Sequence, residues 1–168
     1  MNKCIFLDRD GVLNVERGDY TFLPDDFIIV DGVPEAITTL KKAGYLLIVV
    51  TNQAGITKGL YSREQMHQCH DILMEKTHFL IDKIYYSPYH PSFSESLSRK
   101  PDTLMIEKAI AKYNIDPKTS WFIGDRCRDI ECGKKMGLRT ILISDAENHA
   151  CVPDFIAGNL LEATQRII

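Results

Sequence analysis

The chain has 168 residues, 45% of them hydrophobic, with 20 Lys and Arg against 23 Asp and Glu for a net charge of −3. That is one domain's length (1–168), with enough apolar surface to bury a core without disulfides or a structural metal, and the mild acidic balance supplies no field for gripping a nucleic-acid backbone. The longest apolar stretch, Tyr45 to Val50, is six residues, far short of the roughly 20 that span a membrane.

Short apolar runs alternate with helical patterns. CIFLD (4–8) reads as a buried strand, and 12–30 as irregular chain, with FIIV (27–30) as a short strand of a hairpin. Pro34 suits the first turn of a helix that Gly44 stops, and YLLIVVT (45–51) is the next strand. Ser62 with Gln65 forms a capping box for a helix to about Thr77. IDKIYY (81–86) follows as a strand, then a loop to Lys100 and a helix capped by Asp102 that reaches Tyr113. WFIG (121–124), a helix over 126–136 ended by Gly137, TILIS (140–144), DFIA (154–157) and a helix capped by Asn159 complete the chain. This alternation predicts a three-layer, Rossmann-like α/β fold, a parallel sheet with helices on both faces. Ligands of such sheets bind beyond the carboxyl ends of the strands.

Four candidate groups sit there. Asp8-Arg9-Asp10-Gly11 ends the first strand and Thr51-Asn52-Gln53 the second. Arg99-Lys100-Pro101 closes the long loop, and Gly124-Asp125-Arg126-Cys127-Arg128-Asp129 ends the fourth long strand. Each has an ordinary reading: Asp-x-Asp is common in solvated turns, Arg-Lys in loop tips, and acids in first helical turns. Thr51-Asn52-Gln53 is equally a strand end or a hydroxyl with backbone amides presented to an anion. Together on one sheet edge they fit phosphoryl transfer to an aspartate. A phosphate ester dianion beside ionised Asp8, Asp10 and Asp125 carries too much negative charge for Lys100 and one arginine to balance. A divalent cation closes the balance, and hard oxygen donors suit Mg²⁺.

FLDRDGVLN, VVTNQAG, RKP and GDRCRDI resemble, in order, the four motifs of haloacid-dehalogenase-type phosphatases. The whole chain is most similar to their heptose 1,7-bisphosphate 7-phosphatase branch, close to the histidinol-phosphate phosphatases. The resemblance implies that Asp8 is the nucleophile and that Asp10 is the acid for the leaving oxygen, then the base for water. It implies Mg²⁺ on the Asp8 carboxylate, the Asp10 backbone carbonyl and Asp125, with Asp129 behind them orienting Lys100 or metal-bound water. Thr51 and Lys100 would hold the phosphoryl oxygens. Asn52, Gln53, Arg99 and Arg126 fall where relatives bind substrate, as do Glu16 and Arg17 in the loop after the first motif. Gaps between motifs leave no room for a separate cap domain, so loops 12–22 and 87–100 must give selectivity.

Relatives often carry a structural zinc before R-K-P, on C-x-H and C-x-C patterns. Here Ser87, Ser96 and Ser98 stand in those places and only His90 remains. Hydroxyls are poor zinc ligands, so no zinc is expected. His67 and His70 share one helix face with Met66, Cys69 and Leu73, which reads as packing. Five cysteines (4, 69, 127, 132 and 151) without a C-x-x-C pair argue against a disulfide framework and for a reducing cytoplasm. Cys127, at a helix N-terminus, is a candidate for oxidation. The implied activity is a Mg²⁺-dependent phosphatase acting on a small phosphorylated sugar, without nucleic-acid or membrane partners and monomeric. The alternatives are a histidinol-phosphate phosphatase and a non-catalytic binding module for phosphometabolites.

Overall fold

The structure, a computed structural model, describes residues 1–146 and 149–168. The elements are β1 (Cys4–Leu7), α1 (Val33–Lys42), β2 (Leu46–Asn52), α2 (Arg63–Lys76), β3 (Lys83–Ser87) and α3 (Leu104–Tyr113). They continue with β4 (Trp121–Gly124), α4 (Cys127–Lys135), β5 (Arg139–Ile143), β6 (Phe155–Ala157) and α5 (Leu160–Ile167). All six strands form one parallel sheet in the order β3-β2-β1-β4-β5-β6. Strand order reverses between β1 and β4, which opens a crevice at their carboxyl ends.

The period-2 alternation of each strand sorts the core into two layers. Ile5, Leu7, Leu47, Val49, Trp121 and Ile123 face Ile37 and Leu40 of α1, Leu73 of α2 and Leu160 of α5. Cys4, Phe6, Ile48, Val50 and Phe122 face Met105, Ile106 and Ala109 of α3 and Cys132 of α4. Both faces of β1, β2 and β4 are therefore dry. This is why those strands read as continuous apolar runs rather than alternating ones. Burying each large aliphatic side chain contributes about 1.5–3 kcal/mol, so the sheet centre forms a rigid floor for the loops above it.

The capping box of α2 is as predicted: Gln65 N–H donates to Ser62 Oγ at 3.2 Å, and Ser62 N–H to Gln65 Oε1 at 2.9 Å. Asn159 caps α5 by accepting from Glu162 N–H. The segment 27–30 pairs antiparallel with 13–15, as a hairpin requires: Val15 N–H bonds Ile28 O, Val30 N–H bonds Leu13 O, and Asn14 and Ile29 form a single bridge rather than a full strand. One expectation is corrected. The cap of α3 is Thr103 rather than Asp102, whose side chain lies exposed near Lys135.

Candidate active site

The crevice between β1 and β4 holds the first and fourth motifs. Asp8 leaves β1 and is buried, and its backbone N–H bonds Ile123 O of β4 at 3.0 Å. Lys100, buried over the strand ends, sends Nζ to Asp8 Oδ1 at 2.8 Å, Asp129 Oδ1 at 2.7 Å and the Val50 carbonyl at 2.7 Å. All three ammonium protons are thus engaged. Asp129 is thus an ion-pair partner of Lys100, held by α4 rather than by Asp8's own strand. Its second oxygen accepts from Arg126 N–H at 3.1 Å, which fixes the first turn of α4.

Asp8, Asp125 and Asp129 bring one carboxylate oxygen each within 4.8 Å of one another. Burial pushes Asp8 up to about 7 and Asp129 adds to this, against the pull of Lys100. Burial, with Asp129 again, pushes Asp125 up to about 6. Lys100 is raised despite its burial, because Asp129 and Asp8 flank it, and it stays an ammonium. The cluster is under-neutralised, and its hard oxygens fit a divalent cation such as Mg²⁺. Gly11, at φ 80°, passes so close to Asp125 that a Cβ there would collide with the carboxylate. The loop and Asp125 thus form a cradle that a side chain would fill.

The Asp10 carboxylate lies outside that cluster. It accepts from Arg9 Nη2 at 2.8 Å, Asn14 Nδ2 at 3.0 Å and Gln53 Nε2 at 3.1 Å. Burial opposes its charge, but the Arg9 guanidinium and these bonds hold its carboxyl below the usual range. Arg9, fully buried, also donates to Thr21 O at 2.9 Å and lies over the Phe27 ring. Its Nη1 is 3.5 Å from His70 Nε2, and burial pulls His70 down to about 3, so the imidazole is neutral beneath the site. His70 and His67 meet edge to face, in keeping with the packing reading.

In the second motif, Asn52 and Gln53 line the cavity and also bond protein groups, while Thr51 lies behind them. Thr51 is buried, and its Oγ1 accepts from Gln53 Nε2 at 2.9 Å. Asn52 turns to the third motif: its Oδ1 accepts from Lys100 N–H at 3.0 Å and its Nδ2 donates to Lys100 O at 3.1 Å. Gln53 Oε1 accepts from Tyr61 Oη at 2.6 Å. Both amide side chains are thus satisfied by protein groups and hold the site together.

Above these groups lies a cavity of about 350 Å³, lined at its base by Asp8, Asp10 and Asp125 and along its wall by Glu16, Tyr20, Arg99, Arg126 and Arg128. Arg126 pairs with Asp125 at 3.1 Å and Glu16 at 3.3 Å. Arg99 donates to Tyr89 O at 3.2 Å. Burial, and then the like charge of Arg128, lower its pKa. Arg128 Nε is buried with no hydrogen-bond partner among the described residues. Arg17 is the exception among the expected substrate residues. It is absent from the lining and pairs with Asp26 on the outer side of its loop. Sequence reasoning passed over Arg9, Tyr61 and Arg128. Only Arg128 carried a signal: cations in a first helical turn oppose the helix dipole and call for an anion nearby.

In the loop before Lys100, Ser98 Oγ stands 3.0 Å from Ser87 Oγ and 2.8 Å from Ser96 Oγ, while His90 Nδ1 is 2.6 Å from Ser92 Oγ. Linked hydroxyls occupy the positions where thiolates would bind metal. Against expectation, Cys127 and Cys151 form a disulfide across a sequence separation of 24. The chain after β5 returns beside the N-terminus of α4, which spacing alone does not reveal. Cys4, Cys69 and Cys132 are free and buried.

A HAD-hydrolase-like family model matches residues 97–163. The chain is 36% identical to the D-glycero-D-manno-heptose-1,7-bisphosphate 7-phosphatase of Chlorobaculum tepidum, over 96% of this chain and 92% of that one. It is 39% identical to the D-glycero-alpha-D-manno-heptose-1,7-bisphosphate 7-phosphatase of Burkholderia mallei, over 84% and 79%. Its fold matches the crystal structure of D,D-heptose 1,7-bisphosphate phosphatase from B. bronchiseptica, complexed with magnesium and phosphate, at a TM-score of 0.87. That pair is 24% identical over 98% of this chain and 97% of the other. The chain belongs to the heptose-1,7-bisphosphate 7-phosphatase family of haloacid-dehalogenase-like hydrolases.

Proposed function

We propose that this chain hydrolyses the 7-phosphate of D-glycero-D-manno-heptose 1,7-bisphosphate through an aspartyl phosphate on Asp8. The observation that carries this is one cavity with Asp8, Asp10 and Asp125 at its base, Asp8 paired to the buried Lys100, and Arg99, Arg126 and Arg128 on its wall. The base suits phosphoryl transfer, and the wall suits a second anion on the same substrate. Histidinol phosphate would instead bring an ammonium to those arginines.

Asp8 attacks phosphorus in line, and the sugar oxygen leaves with a proton from Asp10. The bonds from Arg9, Asn14 and Gln53 favour ionised Asp10. An arriving phosphate dianion pushes the other way and lets it carry that proton. In the second half, Asp10 takes a proton from water, which attacks the aspartyl phosphate and releases inorganic phosphate. Thr51 donates to a phosphoryl oxygen. Lys100 keeps Asp8 aimed and balances its charge. Mg²⁺ on Asp8, Asp125 and the Asp10 carbonyl would keep Asp8 ionised and neutralise the transferring group. The hydroxyl contacts among Ser87, Ser96 and Ser98 support the reading that this loop needs no zinc. No helix among the described residues is long and apolar enough to cross a membrane. We infer a monomeric enzyme supplying heptose for surface polysaccharide; the Cys127–Cys151 disulfide removes the cysteine argument for a reducing cytoplasm.

Phosphate release from both heptose 1,7-bisphosphate anomers and from histidinol phosphate, with Mg²⁺, tests the reading. A bisphosphate preference that is lost in Asp8→Asn supports it. Higher kcat/KM on histidinol phosphate, or an active Asp8→Asn, refutes it.

A further inference from the structure

The catalytic shelf is braced from behind by a residue outside all four motifs. The Asp10 carboxylate can only accept, so the Gln53 side chain must face it with its NH₂ end. One N–H goes to Asp10 Oδ2 at 3.1 Å and the other to Thr51 Oγ1 at 2.9 Å. With that oxygen already accepting, the Thr51 hydroxyl proton is free to donate to an incoming oxygen. The amide oxygen, left at the far end, receives the Tyr61 hydroxyl at 2.6 Å.

Tyr61 is itself fixed. It is buried, and Phe22 stacks on it with ring centroids 5.0 Å apart and planes 9° from parallel. On its other side Gly55 leaves the space that any Cβ would take from the ring. Tyr20 of the cavity wall packs against the same ring at 5.8 Å. Burial raises its pKa, which keeps the phenol a donor.

We propose that Tyr61 is a positioning residue for phosphoryl transfer: through Gln53 it fixes the Asp10 carboxyl and the Thr51 hydroxyl in one geometry. This rests on the phosphatase reading of Asp10 and Thr51. Without the phenol hydroxyl, Gln53 Oε1 is buried and unpaired and the amide is free to rotate. In the turned position, its oxygen would face the Asp10 carboxylate and repel it.

The test uses Tyr61→Phe, Gln53→Leu and the double variant with Mg²⁺, on p-nitrophenyl phosphate and heptose 1,7-bisphosphate beside wild type. A full ångström of misplacement costs about 100-fold, so a partly freed amide should lower kcat about tenfold in Tyr61→Phe, with KM within about twofold. The melting temperature should hold, since the ring packing is retained. In the Gln53→Leu background, Tyr61→Phe should change kcat by less than about twofold, because the two act through one path. In ¹⁵N spectra, Gln53 side-chain amide protons should exchange slowly in wild type and quickly in Tyr61→Phe. An unchanged kcat in Tyr61→Phe, losses that multiply, or a loss confined to KM or melting temperature would overturn the proposal. A wild type inactive on both substrates would instead overturn the phosphatase reading beneath it.

Discussion

Replacing Lys100 by Met removes the ammonium from a cluster of three acids, of which Asp8 and Asp129 are buried and Asp125 half-buried. Its Nζ lies 2.8 Å from Asp8 and 2.7 Å from Asp129, and Asp125 is within reach of both. Methionine fills the side-chain volume, so the perturbation is electrostatic. Breaking a buried ion pair by deleting one partner costs about 3–5 kcal/mol. For a chain of this size each kcal/mol shifts Tm by about 2–4 °C, so the expected fall is about 6–20 °C. The measurement is thermal and urea unfolding in EDTA at about pH 7.5 and about pH 5.5. The loss should shrink at the lower pH, where a proton held by the facing carboxylates replaces the missing cation. Wild-type Asp8, pushed up to about 7, shows that such a proton is available in this window. Turnover should fall by about 10²–10³, the scale of losing one electrostatic stabiliser. A stability loss below about 1 kcal/mol at the higher pH, or one that does not shrink on acidification, would refute this account of the site.

The folded pKa values of Asp8 and Asp125, about 7 and about 6 against 3.8, mean that the folded metal-free protein binds protons more tightly than the unfolded chain. Its stability in EDTA should rise as pH falls from about 8 to about 5, the gain reduced below about 6.5 by buried neutral His70, then drop below about 4 as His70 and Asp10, whose pKa values are depressed, take up protons. Added Mg²⁺ should raise Tm more at about pH 7.5 than at about pH 5.5, since protons and metal compete for the same oxygens; equal shifts would contradict this. Arg128→Ala should raise KM for the bisphosphate by about 10-fold or more, the scale of one charge-assisted bond, and leave p-nitrophenyl phosphate kinetics near wild type. Equal losses on both substrates would remove Arg128 from distal recognition. Cys151→Ser should lower stability under oxidising conditions by about 3.5 kcal/mol, the loop-closure value for a cross-link of this span. Unchanged unfolding curves would show that the bond contributes nothing.

Asp8 and Asp125 were legible as candidate site residues because each sits directly after a fully apolar strand, and parallel strands all point their carboxyl ends at one crevice. That needs only local pattern and the handedness of crossovers. Asp8 and Asp125 could be placed this way before any contact was known. The roles of Asn52 and Gln53 could not. Asn52 is clamped to a backbone 48 positions away and Gln53 to a carboxylate 43 positions away. Nothing within a few residues of either tells an amide aimed at substrate from one aimed at protein.

The sequence by itself determined the sheet, its helices and which acids face the crevice. These follow from periodicity, capping and strand ends, which act over a few residues. The tertiary structure alone decided that Arg17 turns to Asp26 while Arg128 turns inward, and that Cys127 meets Cys151. It also decided that Tyr61 stands behind Gln53. Each of these depends on which loops cross above the strand ends, where side-chain direction answers to neighbours remote in sequence.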